Sequence, residues 1–460
     1  MKNEKTIFGT NNGPSVLMVG DSRTRIKELA DNSIDSVVTD PPYELGFMGK
    51  KWDNTGIAYN VKLWKDVLRV LKPGGHLLSF GATRTYHRMV VAIEDAGFEI
   101  RDMIEWVYGS GFPKSMDIGK AFDKQAGAKR KVVGIVTQGR AASPRQDIRS
   151  GRMHASSDGN TRGYMGNQIT GPATAHAHQW NGWGTALKPA HEPIVVARKP
   201  LTGKTVCENL LKWRTGGINI DKGRISPNGC LAYQTNNHFD PSGSDGHFLL
   251  LEEYHHGTLG RFPANMIHDG SAEVVAMFPT NAGAASPVRK GHDGSSNGIY
   301  GDYATKGDDG ATFYADNGTA ARFFKVCPWS ENDLFPLFYC AKASKSERNK
   351  GCNGLNDKYF NMRPFAGENC DLSVLKNRMN SKHGKNHHPT VKPLSLMKYL
   401  IGLVTPPHGT TLDLFAGSGT TLLAAQQSGF GFIGIENEPE YIPIIKSRIE
   451  NETNKPLTII

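Results

Sequence analysis

Strand–helix alternation occupies both ends of this 460-residue chain and is missing from its middle, so two sequence-distant halves must join in one sheet. In the first half, VLMVGD (Val16–Asp21) and SIDSVVTD (Ser33–Asp40) are apolar runs of strand length. VKLWKDVLRVL then places Val61, Trp64, Val67, Leu68 and Leu71 on one helical face, and Pro73, Gly74 and Gly75 stop it before the strand HLLSF. TYHRMVVAIEDAG reads as a helix closed by Gly97, and FEIRDMIEWVY as another strand. From Pro389 the rhythm resumes: PLSLMKYLIGLV as helix, TTLDLF as strand, TTLLAAQQS as helix, GFIGIE as strand, EYIPIIKSRIE as an amphipathic helix. Strands this apolar on both faces belong in a mostly parallel sheet with helices on either side.

Two strings stand where strands end. DPPY, Asp40 to Tyr43, follows SIDSVVT, so a buried strand delivers a carboxylate, two prolines and an aromatic ring at its carboxyl end, where open α/β sheets bind ligands. DLFAGSGTT, Asp413 to Thr421, runs from strand into helix and sets Ala416, Gly417 and Gly419 at a turn where backbone can closely approach a cofactor. Alone, such a turn would suit a dinucleotide equally well.

Taken together these residues resemble the amino-methyltransferases of DNA, which methylate the exocyclic nitrogen of adenine or cytosine from S-adenosyl-L-methionine. GDS at Gly20–Ser22, LKPGG at Leu71–Gly75, HPTVKP at His388–Pro393 and GIE at Gly434–Glu436 extend the likeness. DPPY precedes FAGSGTT, the order of the circularly permuted β class. The resemblance implies a Rossmann-like α/β methyltransferase sheet with large irregular insertions: a catalytic half at 1–110, DNA-contacting insertions at 111–385 with a return strand near 191–200, and a cofactor-binding half at 386–460. It implies that Asp413, Phe415, Ala416, Gly417, Ser418, Gly419 and Thr420 line the cofactor, that Asp21 and Ser22 lie near its adenine, and that Thr390 and Lys392 approach its carboxylate. Glu436 would accept its ribose hydroxyls, a role that nicotinamide sites share; DPPY separates the two.

The chemistry suits the residues. An exocyclic amine is a poor nucleophile because its lone pair is delocalised into the ring. If Asp40 accepts one amine N–H and the Pro41 carbonyl the other, the nitrogen pyramidalises toward the methyl carbon, and both acceptors strengthen as positive charge develops. Pro41 and Pro42 pre-aim the backbone. Tyr43 offers a stacking plane for a base flipped out of the duplex. A sulfonium needs no metal to activate it, and none is expected: His383, His387 and His388 have no carboxylate or thiol at ligand spacing, and the six cysteines form no CxxC pair. DPPY is the commoner form in adenine enzymes, so the resemblance favours N6-adenine over N4-cytosine. RNA or a protein amide as acceptor, and a non-catalytic DNA-binding relic, are the competing readings.

The net charge is +10, and Lys129–Arg224 alone holds sixteen Lys or Arg against five Asp or Glu, a net of +11. A solvated basic surface would account for this. A face for double-stranded DNA, with Arg140, Arg145, Arg149, Arg152 and Arg162 on phosphates, is favoured because the excess is confined to one glycine-rich region. The middle of the chain is also rich in Gly, Asn and Ser, but Trp180, Trp183, Trp213 and Trp329 argue for partly ordered insertions rather than linker. No apolar run approaches membrane-spanning length and MKNEKTIFGTNNG lacks a signal-peptide core, so a cytoplasmic protein with no membrane partner is expected. A phage- or prophage-borne modification enzyme fits; a homodimer and a cognate restriction endonuclease stay open.

Overall fold

The computed structural model describes residues 4–8, 13–46, 51–109, 111, 115–136, 167–225, 261–280, 319–327, 345–352, 354–356, 358–359 and 383–453. It divides into two compact units, Met1–Ser110 with Ala190–Ile460, and Gly111–Pro189.

The larger unit is built on a ten-stranded sheet: β1 (Lys5–Ile7), β2 (Ser15–Val19), β3 (Ile34–Thr39), β4 (Leu71–Phe80), β5 (Glu99–Val107), β6 (His191–Arg198), β7 (Met266–His268), β8 (Lys325–Val326), β9 (Thr410–Asp413) and β10 (Gly431–Glu436). Their order is β1-β2-β10-β9-β3-β4-β6-β5-β7-β8. The five strands from β2 to β4 run parallel. The two halves of the sequence meet at the β9–β3 pairing, Thr411 opposite Ser36 and Leu412 opposite Val37. The return strand β6 inserts between β4 and β5, antiparallel to both. That reversal brings the start of β6 to the edge where the parallel strands end, Ile194 lying opposite Phe80. β7 and β8, three and two residues long, extend the sheet from the middle of the chain; segments this short carry no periodicity for a sequence pattern to reveal.

Successive strand residues feed opposite cores. Leu17, Val38, Leu78, Ile194 and Val196 pack with helices α4 (Leu394–Val404), α5 (Thr420–Gln427) and α6 (Ile442–Thr453) on one face. Met18, Val37, Leu77, Val195 and Ala197 pack with α1 (Val61–Val70) and α2 (Tyr86–Asp95) on the other. In α1 the Asn60 side chain caps Lys62 N and Leu63 N, and Leu63, Trp64, Val67 and Val70 are buried, with Val61 and Leu68 at the margin of that face. Each such side chain contributes roughly 1.5–3 kcal/mol on burial. α1 ends at Val70 and β4 begins at once, so Lys72–Gly75 form a bulge inside the strand: Ile34 pairs with Leu71, but Ser36 pairs with His76. The Asn209 amide and the Thr215 hydroxyl hold the bulge by donating to the Pro73 carbonyl at 2.8 and 2.6 Å.

The smaller unit carries α3 (Ile118–Gln125) and a ribbon pairing Val132–Val136 with Asn167–Thr170. Buried Asp123 organises it, accepting from Thr174 N (2.9 Å), Thr174 Oγ1 (2.8 Å) and Ala173 N (3.1 Å) and pairing with Arg130 at 2.7 Å. Among the described residues no helix is long and apolar enough to cross a membrane.

Candidate active site

Both sequence strings, with GDS, HPTVKP and GIE, gather along one edge of the sheet, at the carboxyl ends of β2, β10, β9 and β3, whereas LKPGG opens β4 and lies toward its other end. Neighbouring strands carry the two key aspartates: Asp40 follows β3, Asp413 closes β9, and the Thr39 hydroxyl donates to Asp413 Oδ1 at 2.7 Å.

On the β3 side, Lys392 Nζ lies 2.5 Å from Asp40 Oδ2, 3.2 Å from the Tyr43 hydroxyl and 3.4 Å from Glu192 Oε2. The Tyr43 hydroxyl donates to Glu192 Oε2 at 2.9 Å, and Tyr108 approaches Oε1 at 3.5 Å. Thr85 fixes the other end of Tyr43, donating to its carbonyl at 2.9 Å. Burial drives the Asp40 pKa up; Lys392 opposes the rise and Glu192 adds to it. Burial works against the Lys392 ammonium, but the two carboxylates outweigh it and its pKa is raised. The outcome is an ion cluster of two carboxylates and one ammonium, stable in an enclosed site only because each charge has a partner. One atom is left over: Asp40 Oδ1 is buried and has no hydrogen-bond partner among the described residues.

On the β9–β10 side, glycine does the shaping. Gly417 and Gly419 have φ of +54° and +78°, and a Cβ on Gly417 would fall 2.8 Å from His388 Nε2. Glu436 holds the turn from the end of β10, its Oε2 accepting Gly417 N–H at 2.6 Å and its Oε1 accepting Glu438 N–H at 2.8 Å. Burial pushes its pKa up to about 8, and that of Asp413 up to about 6. The Phe415 N–H donates to Asp413 Oδ1 at 3.1 Å and the Ala416 N–H to the Ile435 carbonyl at 2.9 Å. Arg448 of α6, fully buried, anchors the turn from beneath, donating to the Ser418 carbonyl (2.7 Å), Ser418 Oγ (3.1 Å) and Thr420 Oγ1 (3.1 Å).

The remaining candidates lie close by. Ser22 Oγ donates to the Leu414 carbonyl at 2.6 Å, while Asp21 caps the helix Ser22–Arg25 and pairs with Arg23. Thr390 N–H donates to His388 Nδ1 at 3.3 Å, so HPTVKP spans the site, with His388 at the glycine turn and Lys392 at Asp40. Arg140, Arg145, Arg149, Arg152 and Arg162 lie outside the described residues. Three contributors escaped the sequence reading. Glu192 is a lone acid at the head of the return strand, Arg448 a basic residue in an amphipathic helix, and His388 opens HPTVKP, in which the resemblance implies roles for Thr390 and Lys392 alone.

The family model described as DNA methylase matches residues 34–212 and 305–447. Type II methyltransferase M.HindIII of Haemophilus influenzae is 46% identical over 94% of each chain. The chain belongs to the DNA methylase family. Type II methyltransferase M.HinfI of Haemophilus influenzae is 31% identical over 26% of this chain and 33% of its own. Among solved structures, the cytosine-N4-specific PvuII DNA methyltransferase has a TM-score of 0.41 at 14% identity, covering 98% of this chain and 89% of that one. The M1.HpyAVI–SAM complex has a TM-score of 0.34 at 15% identity, covering 94% of this chain and 98% of that one.

S-adenosylmethionine is the methyl donor of this DNA methylase, and the residues at the β9–β10 edge fit it. A left-handed glycine turn leaves room for backbone to approach a ligand, and two buried carboxylates stand at the adjoining strand ends. Among the described residues neither carboxylate has a cationic partner, and such carboxylates suit hydroxyl groups and a sulfonium charge.

Proposed function

We propose that this DNA methylase transfers a methyl group to the N6 amine of adenine in double-stranded DNA, as the modification enzyme of a Type II system. The observation that carries the reading is the split in Asp40: Oδ2 is taken by Lys392, and Oδ1 is a buried acceptor with no hydrogen-bond partner among the described residues. A buried acceptor without a donor costs about 1–3 kcal/mol, a penalty that an amine N–H arriving at Oδ1 would remove. The Pro41 carbonyl takes the second N–H, and Tyr43, held at its hydroxyl by Glu192 and at its backbone by Thr85, presents its ring to the flipped base. When bound, S-adenosylmethionine supplies an electrophilic methyl carbon on a cationic sulfur. Asp413, Gly417 and Glu436, with Phe415, Ala416, Ser418, Gly419 and Thr420, form its bed; Asp21, Ser22 and Thr390 border it. Once methylated, the target nitrogen is positive and gives up a proton at Asp40 Oδ1.

Residues 1–110 and 386–460 act as the catalytic and cofactor-binding halves, and 111–385 supply DNA contacts. Neutralising Arg140, Arg145, Arg149, Arg152 and Arg162 together is expected to flatten the salt dependence of DNA affinity by about one unit of slope per lost phosphate contact. The likeness to a Type II methyltransferase supports the restriction–modification setting, and DPPY inclines the base toward adenine. Nucleoside mass spectrometry after incubation with unmethylated DNA tests the reading, with N6-methyladenine expected. N4-methylcytosine alone would overturn the base and leave the geometry standing; no methylated nucleoside would overturn both.

A further inference from the structure

Lys392 raises a question the transfer itself does not answer. A reaction that creates positive charge on nitrogen gains nothing from an ammonium beside it, yet Lys392 Nζ is 2.5 Å from Asp40 and sits over the rings of Tyr43 and Phe80, 5.3 and 4.8 Å from their centroids. Without it, two carboxylates would share an enclosed site and one of them would take up a proton. A protonated Asp40 is a poor acceptor for an amine N–H and cannot receive the proton that the product must lose. With Lys392 in place the cluster carries one net negative charge, which suits a sulfonium donor and a cationic product.

We propose, resting on the role of Asp40 given above, that Lys392 is a positioning residue: its ammonium keeps Asp40 ionised and, by occupying Oδ2, turns Oδ1 toward the target amine, while Glu192 seats Lys392. Lys392 precedes α4 and Glu192 heads β6, so the three charges come from three separate elements. The groups facing Asp40 are Lys392, Glu192 and Tyr43, with Asp413 on the neighbouring strand and Tyr108 behind Glu192. Lys392 and Glu192 act on Asp40 with opposite signs, and that opposition separates this role from simple packing.

The test is the pH profile of single-turnover methyl transfer at saturating S-adenosylmethionine, for wild type, Lys392→Met, Lys392→Arg and Glu192→Gln. In Lys392→Met the acidic limb is expected to move up by at least about one pH unit, a tenfold change in the Asp40 ionisation ratio, with much of the rate recovered at alkaline pH. Lys392→Arg should keep its limb near that of wild type, and Glu192→Gln should move it down. Cofactor affinity, read by calorimetry, should change less than the rate does in all three. An unmoved limb in Lys392→Met, or limbs moving the same way in Lys392→Met and Glu192→Gln, would overturn the proposal. So would a loss of cofactor affinity matching the loss of rate, which would assign Lys392 to the cofactor's carboxylate. Thermal unfolding reads the same pair without turnover: the Tm deficit of Lys392→Met should shrink as pH falls from 8 to 5, and this pH dependence should weaken when Asp40→Asn is added. A deficit independent of pH would also count against the pair. Absence of methylated DNA from the wild-type enzyme would defeat the functional reading alone, since the unfolding experiment does not depend on it.

Discussion

Asp40 and Glu436 are both acids at strand ends on the same edge of one sheet, and they are treated in opposite ways. Asp40 faces a cation and keeps one buried oxygen without a hydrogen-bond partner among the described residues. Glu436 has a backbone amide on each oxygen, and burial pushes its pKa up to about 8. Burial raises both pKa values, but Asp40 has an ammonium against it that opposes the rise, whereas Glu436 is met by backbone N–H groups that hold a turn. The ends of β3 and β10, with β9 between them, thus differ in partners rather than residue type, and substitutions on the two sides should fail differently.

The largest effect is expected from Asp40→Ala. Removing the acceptor that strengthens as charge develops should lower methyl transfer by roughly 10²–10³-fold or more. Cofactor affinity should change only a few-fold, because the glycine turn stands apart on β9. Calorimetry beside a rate measurement checks this; affinity falling as far as rate in a folded variant would erase the division between the two sides.

Gly417→Val is the mirror experiment. The residue has φ of +54°, and a Cβ there would meet His388 at 2.8 Å, so a branched side chain both strains the backbone and fills the turn. Cofactor affinity should drop by about ten- to a hundredfold, the range that roughly 1–3 kcal/mol of local strain corresponds to, while DNA binding survives in part. Normal cofactor binding would make the turn a structural connection only.

The parts of the site that the sequence reveals are those written in consecutive residues. SIDSVVT ending in DPPY, and TTLDLF running through FAGSG into TTLLAA, combine an apolar run with an abrupt change of chemistry, and strand and site follow from that junction. HEPIVVARKP is legible as a strand but not as a source of a site residue, because Glu192 matters only once β6 runs antiparallel beside β4. Arg448 is hidden for a related reason. A basic residue in EYIPIIKSRIE reads as the solvated face of an amphipathic helix, yet this one is fully buried under the glycine turn.

That concealment makes Arg448→Met informative. Burial lowers the guanidinium pKa to about 10, so the protein bears a cost to keep this charge inside. Removing it relieves that cost but strands the Ser418 carbonyl and Thr420 hydroxyl, and the second effect should win by about 1–3 kcal/mol of stability. Chemical denaturation reads the loss, and cofactor affinity should weaken with it while the rate at saturating cofactor changes little. A drop in rate with unchanged affinity would move Arg448 to the chemical side of the comparison.

The smallest effect is a slope. A carboxyl near 4.5 in the unfolded chain and near 8 in the folded one stays protonated on folding while the unfolded chain ionises, so cofactor-free stability should fall as pH rises between those values. Asp413, raised to about 6, contributes to the lower part of the window, which leaves Glu436 to dominate from about 6 to 8. Glu436→Gln cannot titrate. It should lower Tm at every pH, since an amide group replaces one of two acceptors for the Gly417 and Glu438 N–H groups, but it should flatten the decline above pH 6. Thermal unfolding of wild type and variant across pH 5–9 without cofactor decides the matter. Parallel curves would mean that Glu436 is already ionised in the empty enzyme, and the contrast with Asp40 would then rest on hydrogen-bond partners alone.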